Sequence, residues 1–329
     1  MTDIAKRAGV SQKTVSRVVN GSPNVSDEIR ARVTAAIDEL GFRPNTAARA
    51  LVSRRSQVIG IVTLGSALYG STAQVIGVER AARAAGYSTL LVSTPDGRPG
   101  SVSSAIEQIV DRGVDGIILS EPVEDWQLDP ALLRNTPLVS IGSTGQVIED
   151  EVVVGYDQIA GAHRGTQHLI ALGHRTIAHI AGPEDFPDSS ARMRGWEAAL
   201  SGAGILPGPI LRGDWSAQSG YQAGRSLRTD KAVTAAFVAN DRMAIGLQRA
   251  YYEAGVRLPD EFSIVGFDDI PEAEFQMIPL TTLRQDYART TARAVSELVR
   301  VMNEQAPRQQ RIEYVPELIV RKSSTTAPH

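Results

Sequence analysis

Gln12, Lys13, Ser16 and Arg17 share one face of a short helical stretch, opposite Val15, Val18 and Val19. That face carries amide, ammonium, hydroxyl and guanidinium groups together, the donor and acceptor set that base edges and phosphates require. A polar helix face alone is more often only a solvated one, and the surrounding elements must decide between the two readings. A first helix over 2–8 turns Ile4, Ala5 and Ala8 to one side and exits at Gly9. Ser11 is placed to cap a second helix over 12–19, with Val10 and Val15 at hydrophobic-staple positions, and Asn20-Gly21 ends it. Ser26 opens a third helix, with Asp27 and Glu28 at the positive end of its dipole and Ile29, Val33, Ile37 and Leu40 as a buried stripe before Gly41. Three short helices with a tight turn between the first two predict a helix-turn-helix head, whose second helix enters the major groove N-terminal end first.

Charge separates this head from the rest. Residues 1–56 hold ten Lys/Arg against five Asp/Glu, whereas the remainder carries a net charge of -8. Positive charge gathered at one end of the chain suits a polyanion. Residues 44–55, PNTAARALVSRR, have a helix-friendly composition but are too short to hold a helix alone in water, and are expected to fold only against a partner. Leu51 lies among Arg49, Arg54 and Arg55, as an apolar wedge for a minor-groove step would. The bland alternative is a linker whose leucine packs on the body of the protein.

From Gln57 onward apolar strands alternate with amphipathic helices: strands over 58–64, 88–94 and 116–120, with helices over 73–86 and 101–112 between them. A second series has helices over 158–172, 190–203 and 241–254 and strands over 176–182, 234–239 and 262–267. The pattern predicts an α/β architecture of two doubly wound parallel sheets, with a small molecule bound at the facing carboxyl ends of their strands.

Several chemistries are excluded or weakly supported. The chain has 329 residues, 42% hydrophobic and 22% charged, which fits a globular protein of more than one domain. The absence of cysteine removes disulfides, thiolate metal sites and cysteine nucleophiles. No apolar run approaches the ~18 residues of a membrane span, and the N-terminus lacks the apolar core of a secretory signal, so a cytoplasmic location is expected. His163, His168, His174 and His179 are spaced by five, six and five residues, which does not stack them on one helix face for a metal. Neither a Walker loop nor a GxGxxG run calls for a nucleotide cofactor, and no cofactor is expected. Asn20-Gly21-Ser22 is a glycosylation sequon only by coincidence. Asp157 and Asp268 are imaginable as the carboxylate pair of a glycosidase, with nothing further to support an enzyme. An exported sugar-binding protein would lack both the signal and a reason for the basic head.

With VSQKTVSRVVNGS at 10–22, GFRPNTAARAL at 41–51, VANDRMAIG at 238–246 and TTLRQDY at 281–287, the sequence resembles the lactose-repressor family of bacterial transcription regulators along essentially its whole length. GDWSAQSG at 213–220 and VRKSSTTAP at 320–328 are similar in particular to the family's namesake. The resemblance implies a DNA-binding head over 1–44, a hinge helix over 45–56 and a two-lobed, periplasmic-binding-protein-like core over 57–329. Its lobes would comprise 57–156 with 285–314, and 157–284 with 315–329. It implies DNA contacts by Ser11, Gln12, Lys13, Thr14, Ser16, Arg17, Asn20, Asn45, Ala48 and Leu51. For the cleft it implies Arg192, Trp215, Asn240 and Asp268, with Gln285 and Tyr287 beside the lobe crossover and Leu68, Tyr69, Ser71 and Gln74 from the other lobe. Arg194, two residues on, is the alternative to Arg192. Trp215 offers a flat apolar plane to a pyranose, and Arg192, Asn240 and Asp268 offer donors and acceptors to its hydroxyls.

The expected protein is a repressor released from double-stranded operator DNA by a mono- or disaccharide; a co-repressor type responding to a purine or phosphorylated metabolite is the alternative. A homodimer is expected from the two-fold symmetry of operators, and no leucine heptad trails the final segment to pair two dimers. With only Met1 before Thr2, a short N-terminal arm is expected.

Overall fold

The computed structural model describes residues 1–19, 22, 24–42, 55–65, 68–94, 99–120, 129–142, 152–304 and 310–328. The chain divides into two compact units, Met1–Ser56 and Gln57–His329.

In the first unit α1 (Thr2–Ala8), α2 (Gln12–Val19) and α3 (Asp27–Glu39) enclose a small core of Ile4, Ala5, Ala8, Val15, Val18, Val33 and Ala36. Gly9 closes α1 in the left-handed region at φ 64°, where glycine is favoured, and this conformation makes the turn into α2 possible. The Ser11 hydroxyl accepts the Thr14 N–H at 3.1 Å, capping α2 as its type predicts. Ser26 occupies the N-cap position of α3, but its side chain makes no capping bond. Leu40 corrects the expected stripe: it lies one residue beyond α3 and is 46% exposed, while Ala36, a turn earlier, takes the buried position. Arg32 reaches back from α3 to the Ala8 and Gly9 carbonyls, pinning the turn between the first two helices.

The second unit holds two parallel sheets. In chain order its first half runs β1 (Val58–Thr63), α4 (Tyr69–Ala84), β2 (Ser88–Ser93), α5 (Pro99–Asp111), β3 (Gly116–Ser120), β4 (Leu138–Ile141) and β5 (Val152–Tyr156). The chain then crosses to α6 (Gln158–Ala171), β6 (Ile177–Ala181), α7 (Pro187–Gly202), β7 (Ile210–Arg212), α8 (Ala217–Leu227), β8 (Ala235–Val238), α9 (Asp241–Glu253), β9 (Ser263–Val265) and the single turn α10 (Pro271–Glu274). It returns through β10 (Thr282–Arg284) to α11 (Tyr287–Glu304) and β11 (Gln310–Tyr314), and crosses a third time to β12 (Glu317–Ile319). The larger sheet has the order β11-β5-β4-β3-β1-β2 and the smaller β7-β6-β8-β9, while β10 and β12 pair antiparallel beside them.

The continuous apolar strands are buried on both faces, as parallel sheets between helices must be: β1, β3, β4 and β5 contribute Ile59, Ile61, Ile117, Ile118, Val139 and Val154 to the core. α11 lays Ala294, Val295, Leu298 and Val301 against this sheet. The periodicity reading missed α11, along with β4, β5, β7, α8 and the last three strands. Most of these strands are short, and α11 is rich in Thr and Val, which weaken a helical signature that packing then overrides. α4 begins at Tyr69, four residues before its expected start, which places Tyr69, Ser71 and Gln74 on its first two turns.

Candidate functional site

On α2 the side chains of Gln12, Lys13 and Arg17 are exposed and those of Thr14 and Ser16 half-buried, so the polar face expected from spacing is present. Part of it is committed internally. Ser11 and Thr14 join hydroxyls at 2.9 Å, and the Gln12 amide donates to the Thr2 hydroxyl. Asn20, Asn45, Ala48 and Leu51 lie outside the described residues.

In the second unit a cavity opens where the carboxyl ends of the two sheets meet. Leu68, Tyr69, Ser71 and Gln74 line it from α4 and the residue before it, and Arg192, Trp215, Asn240 and Asp268 from the other sheet. Gln285 and Tyr287 close it beside the crossover into α11. All ten residues carried over from the family pattern are thus brought to one cavity.

Arg192 is 4% exposed and points inward from α7, while Arg194 is exposed. Its Nε donates to Gln158 Oε1 at 3.0 Å and its Nη1 to the Ala239 carbonyl at 2.5 Å. Its Nη2 lies 3.5 Å from Asp188 and 3.7 Å from Asp268 Oδ1. The guanidinium rests over Phe267, 3.9 Å from the ring centroid. Asp268 accepts Gln285 Nε2 at 2.9 Å; burial nevertheless pushes its carboxyl up to about 6, against the opposing pull of Arg192 and Gln285. Gln285 Nε2 also donates to the Tyr287 hydroxyl at 2.8 Å. Burial, reinforced by the Asp268 charge, holds that phenol well above its ordinary value.

Trp215 is 5% exposed, its indole against Gly182 and edge-on to Phe186 at 5.9 Å. A Cβ on Gly182 would sit 2.3 Å from the indole ring. The Trp215 Nε1 is buried and has no hydrogen-bond partner. Asn240 does structural work here: its Oδ1 caps α9 through the Met243 N–H at 2.9 Å, and its Nδ2 holds the Trp215 carbonyl at 3.1 Å. On the opposite wall Gln74 Oε1 accepts the Ser120 hydroxyl at 2.7 Å, and Tyr69 meets Tyr287 edge to face at 5.8 Å.

Backbone strain marks the site. Trp215, Asp268 and Asp269 have φ of 71°, 111° and 56°, conformations that cost non-glycine residues about 1–3 kcal/mol each. The Asp268-Asp269 pair is held by ion pairs from buried Asp269 to Arg284 at 2.6 Å and Arg321 at 2.7 Å.

Gln158, Phe186 and Asp188 also line the cavity and were missed from sequence. Asp188 stands four residues before Arg192 on one helix, a pairing that spacing could have revealed. The imagined glycosidase pair does not form a catalytic couple, because Asp157 caps α6 by accepting the Ala160 N–H at 2.8 Å. Three of the four histidines have structural partners. His168 meets Ser324 at 2.9 Å, His174 meets Thr234 at 2.8 Å, and His179 stacks between Trp196 and Phe237. Among the described residues no group of three or more His, Asp or Glu could hold a metal ion, and no helix is long and apolar enough to cross a membrane.

Residues 1–45 match the family described as bacterial regulatory proteins, lacI family, and residues 166–324 match the periplasmic binding protein-like domain. The lactose operon repressor of Escherichia coli K12 is 32% identical over 330 residues, covering 99% of this chain and 91% of that protein. The chain belongs to the lacI family. Other lacI-family relatives are the ribose operon repressor of E. coli K12, 33% identical over 98% of this chain and 99% of that protein, and the PurR transcriptional repressor of Pasteurella multocida, 34% identical over 98% and 97%. The crystal structure of the lac repressor dimer bound to operator and the anti-inducer ONPF superposes with a TM-score of 0.88 at 32% identity, covering 98% of each chain. The regulator CelR in complex with cellobiose superposes at 0.73 with 31% identity, again over 98% of each chain. As a lacI-family member the chain is a transcription regulator with a helix-turn-helix head and a periplasmic-binding-protein-like core, and its relatives are repressors, not enzymes.

Proposed function

We propose that this lacI-family regulator is a cytoplasmic homodimer that represses from a near-palindromic operator and is released when a mono- or disaccharide occupies the cleft. The observation that carries the sugar reading is the cavity itself: an indole plane at Trp215 beside Arg192, Asp268 and Gln285, the pairing of an apolar platform with donors and acceptors that a pyranose requires. A phosphorylated effector is disfavoured, since Asp188 and Asp268 already lie within 4 Å of the Arg192 guanidinium and balance its charge. The purine reading draws on the similarity to a PurR repressor and is the competing arm of the test.

In the head, Gln12, Lys13, Ser16 and Arg17 read base edges and phosphates, with Ser11, Thr14 and Asn20 at the margins of α2. Asn45, Ala48 and Leu51 belong to a hinge over 45–56 that folds on the DNA, with Leu51 levering open the central step. The core is divided between lobes of 57–156 with 285–314 and 157–284 with 315–329, and the angle between them sets the separation of the hinges.

Thermal-shift titration with D-glucose, D-galactose, D-ribose, lactose, cellobiose, hypoxanthine and glucose 6-phosphate tests the effector class, followed by operator binding with and without each hit. Stabilisation by a neutral sugar that also lowers operator affinity is expected. Stabilisation by hypoxanthine or glucose 6-phosphate alone would replace the sugar reading. Trp215→Ala should abolish the response while operator affinity without sugar stays within about twofold; a mutant that still releases DNA at ordinary sugar concentration removes the stacking role.

A further inference from the structure

We infer that Gln158 is the positioning residue through which occupation of the cleft reaches the crossovers between the lobes. The inference rests on the sugar-sensing reading above and deepens it. Gln158 opens α6 immediately after the chain leaves β5 for the smaller sheet, and Gln285 stands on the return crossover between β10 and α11. The two crossovers are tied twice. The Tyr156 hydroxyl accepts the Asp286 N–H at 2.7 Å, and Gln158 Nε2 donates to Gln285 Oε1 at 2.9 Å.

The second tie is also part of the cavity wall. Arg192 Nε donates to Gln158 Oε1 at 3.0 Å, and Gln285 Nε2 donates to Asp268 Oδ1 at 2.9 Å. Arg192, Gln158, Gln285 and Asp268 therefore form a ring whose hydrogen bonds all run in one direction, from the guanidinium through two amides to the carboxylate. Its one open edge is the 3.7 Å between Arg192 Nη2 and Asp268 Oδ1, too long for a hydrogen bond and of a size that a ligand hydroxyl closes by accepting from one and donating to the other. Turning either amide over would set N–H against N–H at one end and oxygen against oxygen at the other, so the direction of the ring is fixed. Gln158 and Gln285 are both buried, at 4% and 7% exposure, so a broken link leaves polar groups with few alternative partners. A ligand that draws Arg192 and Asp268 together thus acts on one crossover through Gln158 and on the other through Gln285, and the Gln158–Gln285 bond couples the two.

The full-length protein is tested on a duplex fragment of its own promoter, with operator affinity measured without sugar and at saturating concentration of whichever of D-glucose, D-galactose, D-ribose, lactose or cellobiose stabilises it. Saturation makes the ratio of the two affinities independent of sugar affinity. The parent ratio is expected to depart from one by about 5- to 150-fold, and that of Gln158→Leu or Gln158→Glu by less than about threefold. Gln158→Glu is nearly isosteric and keeps the acceptor for Arg192 while losing the donor to Gln285, so it decides the matter even where Gln158→Leu folds poorly. A variant that folds and keeps the parent ratio overturns the relay and leaves sugar sensing standing. Loss of sugar binding in Gln158→Glu makes Gln158 a binding contact and also overturns the relay. A parent whose operator affinity none of the five sugars alters overturns the sugar reading, and the relay falls with it.

Discussion

Asp268 gathers the chemistry of the cleft into one side chain. Burial raises its carboxyl to about 6, while a sugar hydroxyl donating to it would favour the charged form and lower that value. The proton must leave for the sugar to bind well, so affinity should be full from about pH 7 upward and fall by up to about tenfold per pH unit below about pH 6. Calorimetric titration from pH 7.5 to 5 measures this, and Asp268→Asn should give a weak but flat profile. His179 shows the opposite kind of shift. Its ring, sealed between Trp196 and Phe237, is held down to about 4 by burial, well below its ordinary value. The unfolded chain then binds the extra proton, so the stability contributed by neutral His179 is complete above pH 6.5 and is lost as pH falls toward 4. The loss is about 3 kcal/mol over that window. His168 and His174, also depressed by burial, add in the same direction. Urea unfolding at pH 7 and pH 4.5 should show a smaller acid loss for His179→Leu than for the parent; an equal loss would mean that the ring is not the acid-sensitive group. The burial of His174 and His179 against residues distant in the chain could not be seen until the smaller sheet was assembled.

At the scale of elements, close approach of the Trp215 indole to the backbone after β6 sets one cavity wall. Gly182 follows β6 and faces the indole of Trp215, and a Cβ there would come within 2.3 Å of the ring. Gly182→Ala must move the indole, because the Asn240 bond to the Trp215 carbonyl holds the loop backbone in place. The expected result is at least a tenfold loss of sugar affinity with overpacking that costs about 1–3 kcal/mol of stability, read by calorimetry and urea unfolding. An unchanged sugar affinity would show that the platform tolerates displacement. The elements themselves were unequally legible. α1 and α2 followed directly from Ile4, Ala8, Val15 and Gly9, because a three-helix head this small leaves each apolar residue one place to go. α11 was not read at all, although Ala294, Val295, Leu298 and Val301 repeat at helical spacing and sit in the core. Its Thr290 and Thr291 belong as readily to a strand, and only the sheet it covers decides between the two.

For the whole molecule, the charge asymmetry and the proposed hinge make operator binding the property most exposed to test. Leu51→Ala should weaken operator binding at least tenfold, since unstacking a base step costs a few kcal/mol that the wedge must offset, roughly 1–3 kcal/mol of it lost with the side chain. Sugar affinity should stay within about twofold. Gel-shift or fluorescence anisotropy against salt should show a steep decline in operator affinity for the parent, because Lys13, Arg17 and their neighbours displace counterions. A flat salt profile would remove the head from the DNA, and unaltered operator binding by Leu51→Ala would leave residues 44–55 as a linker.

The sequence by itself determined the kinds of contact this protein makes. Residue types at short, regular spacing dictate a helix face of donors and two series of buried parallel strands, and these are local properties that a chain carries before it folds. Tertiary structure alone decided how the cleft is wired. Gln158, Arg192, Asp268 and Gln285 lie up to 127 residues apart and close into one directional ring only when the chain crosses between its sheets. The strained backbone at Trp215 and Asp268 and the raised carboxyl of Asp268 likewise come from burial and from partners far along the chain, since desolvation acts on where a group ends up and not on what precedes it in the sequence.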